Sequence, residues 1–458
     1  MGREVERLKG GMKNRICICL AAVVAQTVFG EVSLLGTCPA EDSSTGVRIV
    51  WHSDSPQCEL RFGSEGGGRK PVAAEKVKAP VEYTGKADYW RYRAEVRSLK
   101  PNTRYAYEVR EPGGESVARS ARTAPKGGDF DFLWIGDIHS TPSRPDKIKS
   151  VDRLLSRAEE MSAKRGGLSF VLCTGDAVKH GQTYACWREW DRSRAMRDYM
   201  MAMIPGNKEY YRDEGKTRWH DRWFANARNN PGNGAPGLAG TYWFLYGGVL
   251  FAGIDTLAIE GVEIDSAVRE TSRTRQRDWL ERVAKAQRGR YRFFVVFQHY
   301  PYFKKEGPCS YGGYEFWRGT FDALGVDFAL SGDEHAYVRT HPLRGGKKDA
   351  AGTVYVVCPE IDSHMEEPRI VSGGGLVAAF DENGSSYGAC IFSAEGGNMT
   401  LRYISPDGKV RDSVSARRRQ RYGCFGTGHH NPKTLEYMAV PKKNGECDLA
   451  SGPTGGGA

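Results

Sequence analysis

The chain has 458 residues, of which 40% are hydrophobic and 27% are charged, and its formal net charge is +10. This composition is typical of a folded globular protein with two or three domains, and it excludes a largely disordered or membrane-embedded chain. A basic surface suits acidic ligands, but the sequence contains no zinc-finger spacing or ribonucleoprotein motif, so no specific nucleic-acid partner is indicated.

Residues 1–30 are predicted to contain a signal peptide. The segment "MKNRICICLAAVVAQTVFG" begins at Met12 with basic residues, continues with an apolar stretch and ends in small residues, with cleavage expected after Gly30. The apolar stretch is too short to span a bilayer comfortably, and no other segment is long and apolar enough. We therefore expect a secreted or periplasmic protein without a membrane span.

The 11 cysteines fit an exported protein, because an oxidising compartment permits disulfides. The spacing shows no CxxC pair of the kind that holds structural zinc. The candidate disulfides are pairs that lie near each other in sequence, namely Cys38 with Cys58, Cys173 with Cys186, Cys358 with Cys390, and Cys424 with Cys447.

Residues 31–125 are predicted to form an all-β sandwich. Alternating or β-branched and aromatic runs are separated by Gly, Pro and Asn turns, as in "GVRIVWHSD", "CELRFGS", "YWRYRAEVRSL" and "TRYAYEVRE". The leucine, Pro-Asn turn and alternating tyrosines of "SLKPNTRYAYEV" are typical of a fibronectin type III-like domain. The segment "TAPKGGD", residues 123–129, predicts a linker.

The pattern changes after this linker, and residues 129–412 are predicted to form an α/β layered domain. Short continuous apolar runs predict strands that are buried on both faces, as in "FDFLWIGD", "LSFVLCTGD", "VLFAGID", "RFFVVFQH" and "VDFALSGDEH". Helices are predicted between them, in "KIKSVDRLLSRAEEMSAKRGG" and "TRQRDWLERVAKAQRG". Residues 413–458 then form a basic, Gly-rich tail, for which a solvated segment is the simplest interpretation.

Polar side chains follow the buried runs at the points where those runs stop. The residues concerned are Asp137, His139, Asp176, Asn207, His299, Asp333 and His335. Each one has an ordinary structural explanation, such as a capping aspartate or a buried histidine. In an open α/β domain, however, ligands gather at the carboxyl ends of the strands, and carboxylates, imidazoles and an amide together suit borderline-to-hard metal ions. The set is large enough for two ions.

The order of these motifs resembles the calcineurin-like metallophosphoesterases. "GDIH", "TGDAVKHG", "PGNKE", "QH" and "SGDEHAYVRT" are similar to the family series GD-x-H, GD-x-x-x-x-G, GNHE, H and GH-x-H. "HAYVRT", "TYWFLYGGVLFAGIDT" and "RQRDWLERV" resemble the purple acid phosphatase branch in particular, as does the order of a β sandwich before the α/β domain. The resemblance covers about residues 45–405 and implies a four-layer αββα arrangement for the second domain.

The resemblance also implies a role for each residue. The first metal ion would be held by Asp137, His139, Asp176 and His335. Asp176 would bridge to a second ion that is completed by Asn207, His299 and Asp333. Two ions of iron, zinc or manganese would activate a hydroxide that attacks phosphorus, with Asp176 and Lys208 as the catalytic side chains.

Three positions depart from the family pattern. Lys179 stands where the purple acid phosphatase branch has a tyrosine, so a purple iron(III) centre is not expected and His139 would take the ligand role. Lys208 replaces the histidine of GNHE, which assists the transition state or the leaving group. Asp333 replaces the first histidine of GH-x-H, and a carboxylate remains a competent ligand for zinc, manganese or iron.

These observations predict an exported, acid phosphatase-like hydrolase with a dinuclear metal centre that acts on phosphorylated small molecules or other phosphate esters. Monoesters are preferred because of the branch that the sequence resembles. A phosphodiesterase is the first alternative, because diesters depend less on protonation of the leaving group. A non-catalytic, metal- or phosphate-binding descendant is the second, because Lys208 and Asp333 replace family histidines and fold does not imply function. The oligomeric state stays open.

Overall fold

The structure is a computed structural model that describes residues 31–78, 88–114, 116–210, 229–230, 240–256, 266–385 and 387–417. The predicted signal peptide lies outside these residues, as does most of the predicted tail. No helix among the described residues is long and apolar enough to cross a membrane.

Within residues 31–78, 88–114 and 116–122, the regular elements of the N-terminal part are all strands. The strands are β1 (Ser33–Pro39), β2 (Val47–Ser53), β3 (Glu59–Ser64), β4 (Lys70–Val72), β5 (Glu75–Lys78), β6 (Trp90–Val96), β7 (Arg104–Arg110) and β8 (Ser116–Arg122). The four alternating runs recognised in the sequence therefore correspond to β2, β3, β6 and β7.

Strands and helices alternate in the next part of the chain. The elements are β9 (Phe130–Ile135), α1 (Asp146–Ser162), β10 (Leu168–Cys173), α2 (Tyr184–Trp190), α3 (Arg194–Asp198), β11 (Met200–Met203), β12 (Tyr242–Tyr246), β13 (Val249–Gly253), α4 (Ser266–Ala286) and β14 (Phe293–Phe297). Single 3-10 turns follow α1 and β11, at Ala163–Arg165 and Lys208–Tyr210.

The last part is mainly β-structure with one helix. It comprises β15 (Phe303–Lys304), β16 (Gly307–Pro308), α5 (Tyr314–Leu324), β17 (Phe328–Ser331), β18 (Val338–Thr340), β19 (Leu343–Arg344), β20 (Lys347–Lys348), β21 (Val354–Val357), β22 (Ile370–Ser372), β23 (Val377–Asp381), β24 (Ala389–Glu395), β25 (Asn398–Ile404) and β26 (Val410–Arg417). Strand β26 pairs along its length with β25, so ordered structure extends beyond the predicted domain end at residue 412.

Two large mixed sheets carry the α/β domain. One has the strand order β26-β25-β24-β9-β10-β11-β1-β2-β6-β5, and the other has the order β12-β13-β14-β17-β21-β18-β23-β22. Strands β9, β10 and β11 are parallel in the first sheet, and β13, β14, β17 and β21 are parallel in the second. The parallel strands are buried on both faces, which explains their continuous apolar sequences.

The two sheets pack face to face and helices cover their outer faces, which gives the four-layer αββα arrangement. Phe132 and Phe170 of the first sheet stack at 4.8 Å, and both meet Phe251 of the second sheet edge-on at 5.4 and 5.5 Å. Helix α1 covers the first sheet with Leu154 and Leu155, both of which are fully buried. Helices α4 and α5 cover the second sheet in the same way.

The β-rich N-terminal domain is joined to the α/β domain through the first sheet, which the sequence did not predict. Strand β1 pairs with β11 in parallel, with Thr37 opposite Met200, and β2, β6 and β5 continue the same sheet. The remaining strands form a separate sheet of order β4-β3-β7-β8 that packs on them. Ala124, inside the predicted linker, is fully buried and donates its N–H to the carbonyl of Ser43.

The three guessed disulfides that fall on described residues are wrong. Cys58, Cys173, Cys186, Cys358 and Cys390 carry free thiols, so each guessed pair lacks at least one partner. Proximity in sequence was a poor guide, because Cys173 and Cys390 lie on strands of a sheet whose neighbours are set by topology. The fourth guess, Cys424 with Cys447, lies outside the described residues.

Candidate metal centre

All seven predicted metal ligands follow the carboxyl ends of five parallel strands. Asp137 and His139 follow β9, Asp176 follows β10, and Asn207 follows β11 in the first sheet. His299 follows β14, and Asp333 and His335 follow β17 in the second sheet. Because these ends lie at one edge of the sandwich, residues that are up to 198 positions apart in the sequence come together there.

Backbone hydrogen bonds lock these loops to one another. The N–H of His139 donates to the carbonyl of Asp176 at 2.8 Å, and the N–H of Lys208 donates to the Asp176 Oδ1 atom at 2.9 Å. The N–H of Asp333 donates to both carboxylate oxygens of Asp137, at 3.1 and 3.0 Å. The ligand positions are therefore fixed by the main chain as well as by side-chain packing.

Five of the candidate ligands have a left-handed backbone. The φ angles of Asp137, His139, Asp176, Asp333 and His335 lie between 51° and 70°. Only three other non-glycine residues in the described ranges share this conformation. Each such residue costs on the order of 1–3 kcal/mol, and strain of this kind gathers where a site requires a particular side-chain direction.

Two motif glycines allow the close approach of these loops. A Cβ atom on Gly332 would lie 2.6 Å from the Oδ2 atom of Asp137. A Cβ atom on Gly206 would collide with the Oδ1 atom of Asp176. The glycines before Asp333 and Asn207 are thus required by the packing of neighbouring carboxylates.

The first group of donor atoms comes from Asp137, His139 and His335, with all its ligand atoms within 4.8 Å of one another. The His139 Nε2 atom also lies 3.0 Å from the Oδ2 atom of Asp176. The side chain of Asp137 is fully buried, whereas the side chain of His335 is 38% exposed. This group therefore has a buried side and a side that faces solvent.

The second group comes from Asp137, Asp176 and His299, again within 4.8 Å. The Nδ1 atom of His299 lies 2.8 Å from the carbonyl oxygen of Thr174, which can only accept, so Nδ1 is the donor. The Nε2 atom of His299 then faces three oxygens, at 3.0 Å from Asn207 Oδ1, 3.4 Å from Asp176 Oδ1 and 3.5 Å from Asp333 Oδ1.

The carboxylate of Asp333 occupies the position where the family pattern has an imidazole. Its Oδ1 atom lies near His299, and its Oδ2 atom accepts a hydrogen bond of 3.1 Å from the hydroxyl of Tyr311. The neighbouring Glu334 is held away from this set, because its carboxylate pairs with the ammonium of Lys304 at 2.7 Å.

Burial and crowding perturb the titration of the cluster. Burial raises the pKa of Asp137 to about 6. Burial also acts to raise the pKa of Asp176, but the electrostatic effect of His299 and the hydrogen bond with His139 outweigh it, so the pKa of that carboxyl is lowered. Burial disfavours the charged form of His335, yet the hydrogen bond to Glu360 and the nearby carboxylates raise its pKa to about 9.

The donor set fits metal ions. Three aspartates, three histidines and one amide converge, and the His299 Nε2 atom lies within 3.5 Å of oxygens from three of these residues. Oxygen and imidazole donors without a thiolate suit zinc, manganese or iron. Carboxylates this deeply buried are otherwise rare without a compensating charge.

Sequence reasoning missed two buried glutamates at this centre. Glu360 accepts a hydrogen bond of 3.0 Å from the Nδ1 atom of His335, and Glu209 accepts from the backbone N–H groups of Asp176, Val178 and Gly206. Glu360 follows the buried strand β21, so the rule that located the other ligands would have found it. Glu209 ends the "PGNKE" motif, and only the fold shows that it holds two loops together.

The two lysines that replace family residues lie on adjacent loops. Lys208 is half-buried in the 3-10 turn after Asn207, and its carbonyl accepts a hydrogen bond of 2.9 Å from the N–H of Gly181. Lys179 is exposed, and its N–H donates to the carbonyl of Ser140. The loops after β10 and β11 are thereby joined directly beside the candidate ligands.

Comparisons with known proteins agree with this geometry. A family model described as calcineurin-like phosphoesterase matches residues 130–337, and one described as the purple acid phosphatase N-terminal domain matches residues 37–123. Both motif-based resemblances are thus confirmed.

Similar chains include two curated Mycobacterium tuberculosis proteins, from strains CDC 1551 and H37Rv, both named as uncharacterized. Each is 24% identical over 375 residues, which cover 73% of this chain and 67% of the relative. Among solved structures, the purple acid phosphatase PPD1 from yellow lupin seeds aligns with a TM-score of 0.64 at 14% identity, covering 86% of this chain and 76% of that one. PhoD aligns with a TM-score of 0.56 at 13% identity, covering 84% and 90%. At these identities the two structures establish the shared fold.

Proposed function

We propose that this chain is a phosphomonoesterase with a dinuclear metal centre, because residues 37–123 match the purple acid phosphatase N-terminal domain and residues 130–337 match the calcineurin-like phosphoesterases. The observation that carries the proposal is the convergence of Asp137, Asp176 and His299 with Asn207 and Asp333 at one strand edge. A fold alone would not support it, because function depends on the site.

The proposed first ion is held by Asp137, His139, Asp176 and His335, and the second by Asp176, Asn207, His299 and Asp333. Two bound dications supply a water of lowered pKa and neutralise phosphate oxygens. The chain supplies the framework for this chemistry: Asp176 lies between the two donor groups, and its orientation is fixed by the N–H of Lys208.

The histidines are held with defined orientations. His299 donates from Nδ1 to the carbonyl of Thr174, so its Nε2 atom is directed at the oxygens of the second donor group. Glu360 holds the Nδ1 side of His335, so its Nε2 atom faces Asp137 at 3.9 Å. Carboxylate and carbonyl partners of this kind fix the tautomer and ring direction of metal-binding histidines.

Lys208 is proposed to provide a positive charge to the substrate phosphate or to the leaving oxygen. Its position directly after Asn207 in the turn supports this role, because the family histidine occupies the same place in the motif. A phosphodiesterase is the second candidate within the same chemistry, because Lys208 replaces the histidine that would protonate the leaving group and diesters depend less on that protonation.

Hydrolysis assays test the proposal. Metal-reconstituted protein is incubated with 4-nitrophenyl phosphate and bis(4-nitrophenyl) phosphate in the presence of manganese, zinc or iron. We expect turnover of the monoester that exceeds that of an Asp176→Asn variant by at least about a hundredfold, because that change removes the shared ligand. Equal rates for the two proteins with every metal would contradict the proposal.

A non-catalytic, metal- or phosphate-binding protein is the third candidate, and Lys208 and Asp333 are the residues that favour it. The double variant Lys208→His with Asp333→His distinguishes the two cases. A large gain in turnover would show a site that has lost activity, whereas a loss would show that this chain's residues are adapted to its own substrate.

Export is proposed from the sequence between Met12 and Gly30. N-terminal sequencing of protein recovered from the periplasm or the medium of a bacterial host tests it. A mature chain that begins at Glu31 is expected, and retention of the intact N-terminus in the cytosol would contradict it.

A further inference from the structure

A cleft of about 340 Å³ opens beside the first donor group. His139 and Glu360 form the end nearest the candidate metal centre, and the walls include Arg144, Lys147, Lys179 and Asp362. This volume lies in the range of small-molecule sites, which start near roughly 300 Å³. The cleft is therefore large enough for part of a substrate whose phosphate lies at the metal centre.

Most charges in the cleft are compensated by fixed ion pairs. The ammonium of the buried Lys147 lies 3.3 Å from carboxylate oxygens of both Glu360 and Asp362. The guanidinium of Arg144 lies 2.8 Å from both Asp146 and Asp362. This network has little capacity to bind a further anion, because its donors already face carboxylates.

Lys179 is the exception among the described lining residues. Its side chain is exposed at the cleft, and no ion pair is found for its ammonium within the part of the chain that the structure describes. Its backbone is nevertheless fixed, because its N–H donates to Ser140 at 3.0 Å and the same loop donates from Gly181 to Lys208. Lys179 thus presents an uncompensated positive charge from a rigid loop beside the metal centre.

We propose that the cleft binds the alcohol part of a phosphate ester that carries a second anionic group, and that Lys179 binds this group. The proposal rests on the proposed function for the place of the phosphate. Hydroxyl groups of Thr141 and Ser143 on the same wall add hydrogen-bonding capacity for the second anion.

Binding of two non-hydrolysable probes tests this inference. 4-Carboxybenzylphosphonate and its methyl carboxylate ester differ by one negative charge and have the same phosphonate. Calorimetric titration of the full-length, manganese-loaded protein should show tighter binding of the carboxylate, by about fivefold, as expected for one charge-assisted contact near solvent. In the Lys179→Met variant, the ratio of the two dissociation constants should fall to about one.

Lys149→Met is the matched control, because Lys149 is an exposed lysine of α1 outside the cleft lining. It should keep the wild-type ratio, which separates a specific contact from the general effect of net charge. Equal affinities of the wild type for both probes, binding of neither probe, or an unchanged ratio in Lys179→Met would overturn the inference. If the wild type binds the carboxylate probe more tightly than the ester but hydrolyses no aryl phosphate, the proposed function is refuted. The inference that the cleft binds a second anion would then still stand.

Discussion

Five of the seven candidate ligands occupy a left-handed backbone conformation, which is uncommon for residues other than glycine. Asp137, His139, Asp176, Asp333 and His335 all have positive φ, although glycine would fit such positions with less strain. Keeping a side chain at these positions lowers the free energy of unfolding. Such a cost is expected where the side chain has a function. Sequence motifs identified these residues, but only the structure shows the cost.

Glu360 is predicted to control metal affinity through His335. The Glu360→Gln variant keeps the size of the side chain but weakens its hold on the Nδ1–H group, so affinity for the first ion should fall about 10- to 100-fold. Stepwise titration of the metal-free protein with zinc measures this effect. Glu367→Gln is the control, because Glu367 pairs with Arg411 on the surface. Unchanged affinity in Glu360→Gln would exclude an orienting role.

Tyr311 is predicted to support the unusual ligand Asp333. The Tyr311→Phe variant removes the hydroxyl that donates to Asp333 Oδ2 and leaves the ring packed edge-on against Tyr300. The affinity for the second ion should fall by about tenfold, which corresponds to the loss of one hydrogen bond to a charged group. The affinity for the first ion should stay unchanged. An equal loss at both steps of the titration would indicate a general structural defect instead.

Individual elements were predicted well where burial dictates the pattern. The continuous apolar runs gave β9, β10, β13, β14 and β17, and the periodic apolar positions gave α1 and most of α4. Helix α5 and strand β21 were missed, although the sequence VYVV of β21 ends three residues before Glu360. The formation of short strands and the pairing of strands within a sheet depend on tertiary contacts, which local sequence patterns do not encode.

Helix α1 is predicted to stabilise the first sheet mainly through its apolar face. Leu155→Ala removes a fully buried side chain and should lower the free energy of unfolding by about 2–5 kcal/mol. Urea unfolding measures this change in free energy. The metal concentration is kept saturating, so that bound metal stabilises the variant and the wild type equally. Lys149→Ala, on the exposed side of α1, should change stability by less than about 0.5 kcal/mol. A similar small change for Leu155→Ala would contradict the packing.

At the scale of the whole molecule, the two predicted domains share one ten-stranded sheet. The sequence predicted a β sandwich, a linker and an α/β domain, yet β1 is hydrogen-bonded to β11 and carries the sheet into the N-terminal part. This pairing joins residues more than 160 positions apart, so local sequence gives no sign of it. The N-terminal domain therefore contributes to the stability of the strand that precedes Asn207.

Removal of the N-terminal domain is predicted to destabilise the α/β domain. A fragment of residues 126–417 would expose the β11 edge, Met200–Met203, whose apolar side chains would favour association. Size-exclusion chromatography should show aggregates or oligomers of the fragment under conditions where the full chain elutes as a discrete species. A monomeric fragment with the melting temperature of the full chain would show that the shared sheet has no stabilising role.

The account depends most directly on whether the strand-end cluster holds two metal ions. Elemental analysis of the purified full chain, after equilibration with zinc or manganese and removal of excess metal, measures this. We predict two ions per chain for the wild type and at most one for Asp176→Asn, because Asp176 is the proposed bridging ligand, with one oxygen 3.0 Å from His139 and the other 3.4 Å from His299. A wild-type chain that retains no metal, or a variant that retains two, would contradict the account.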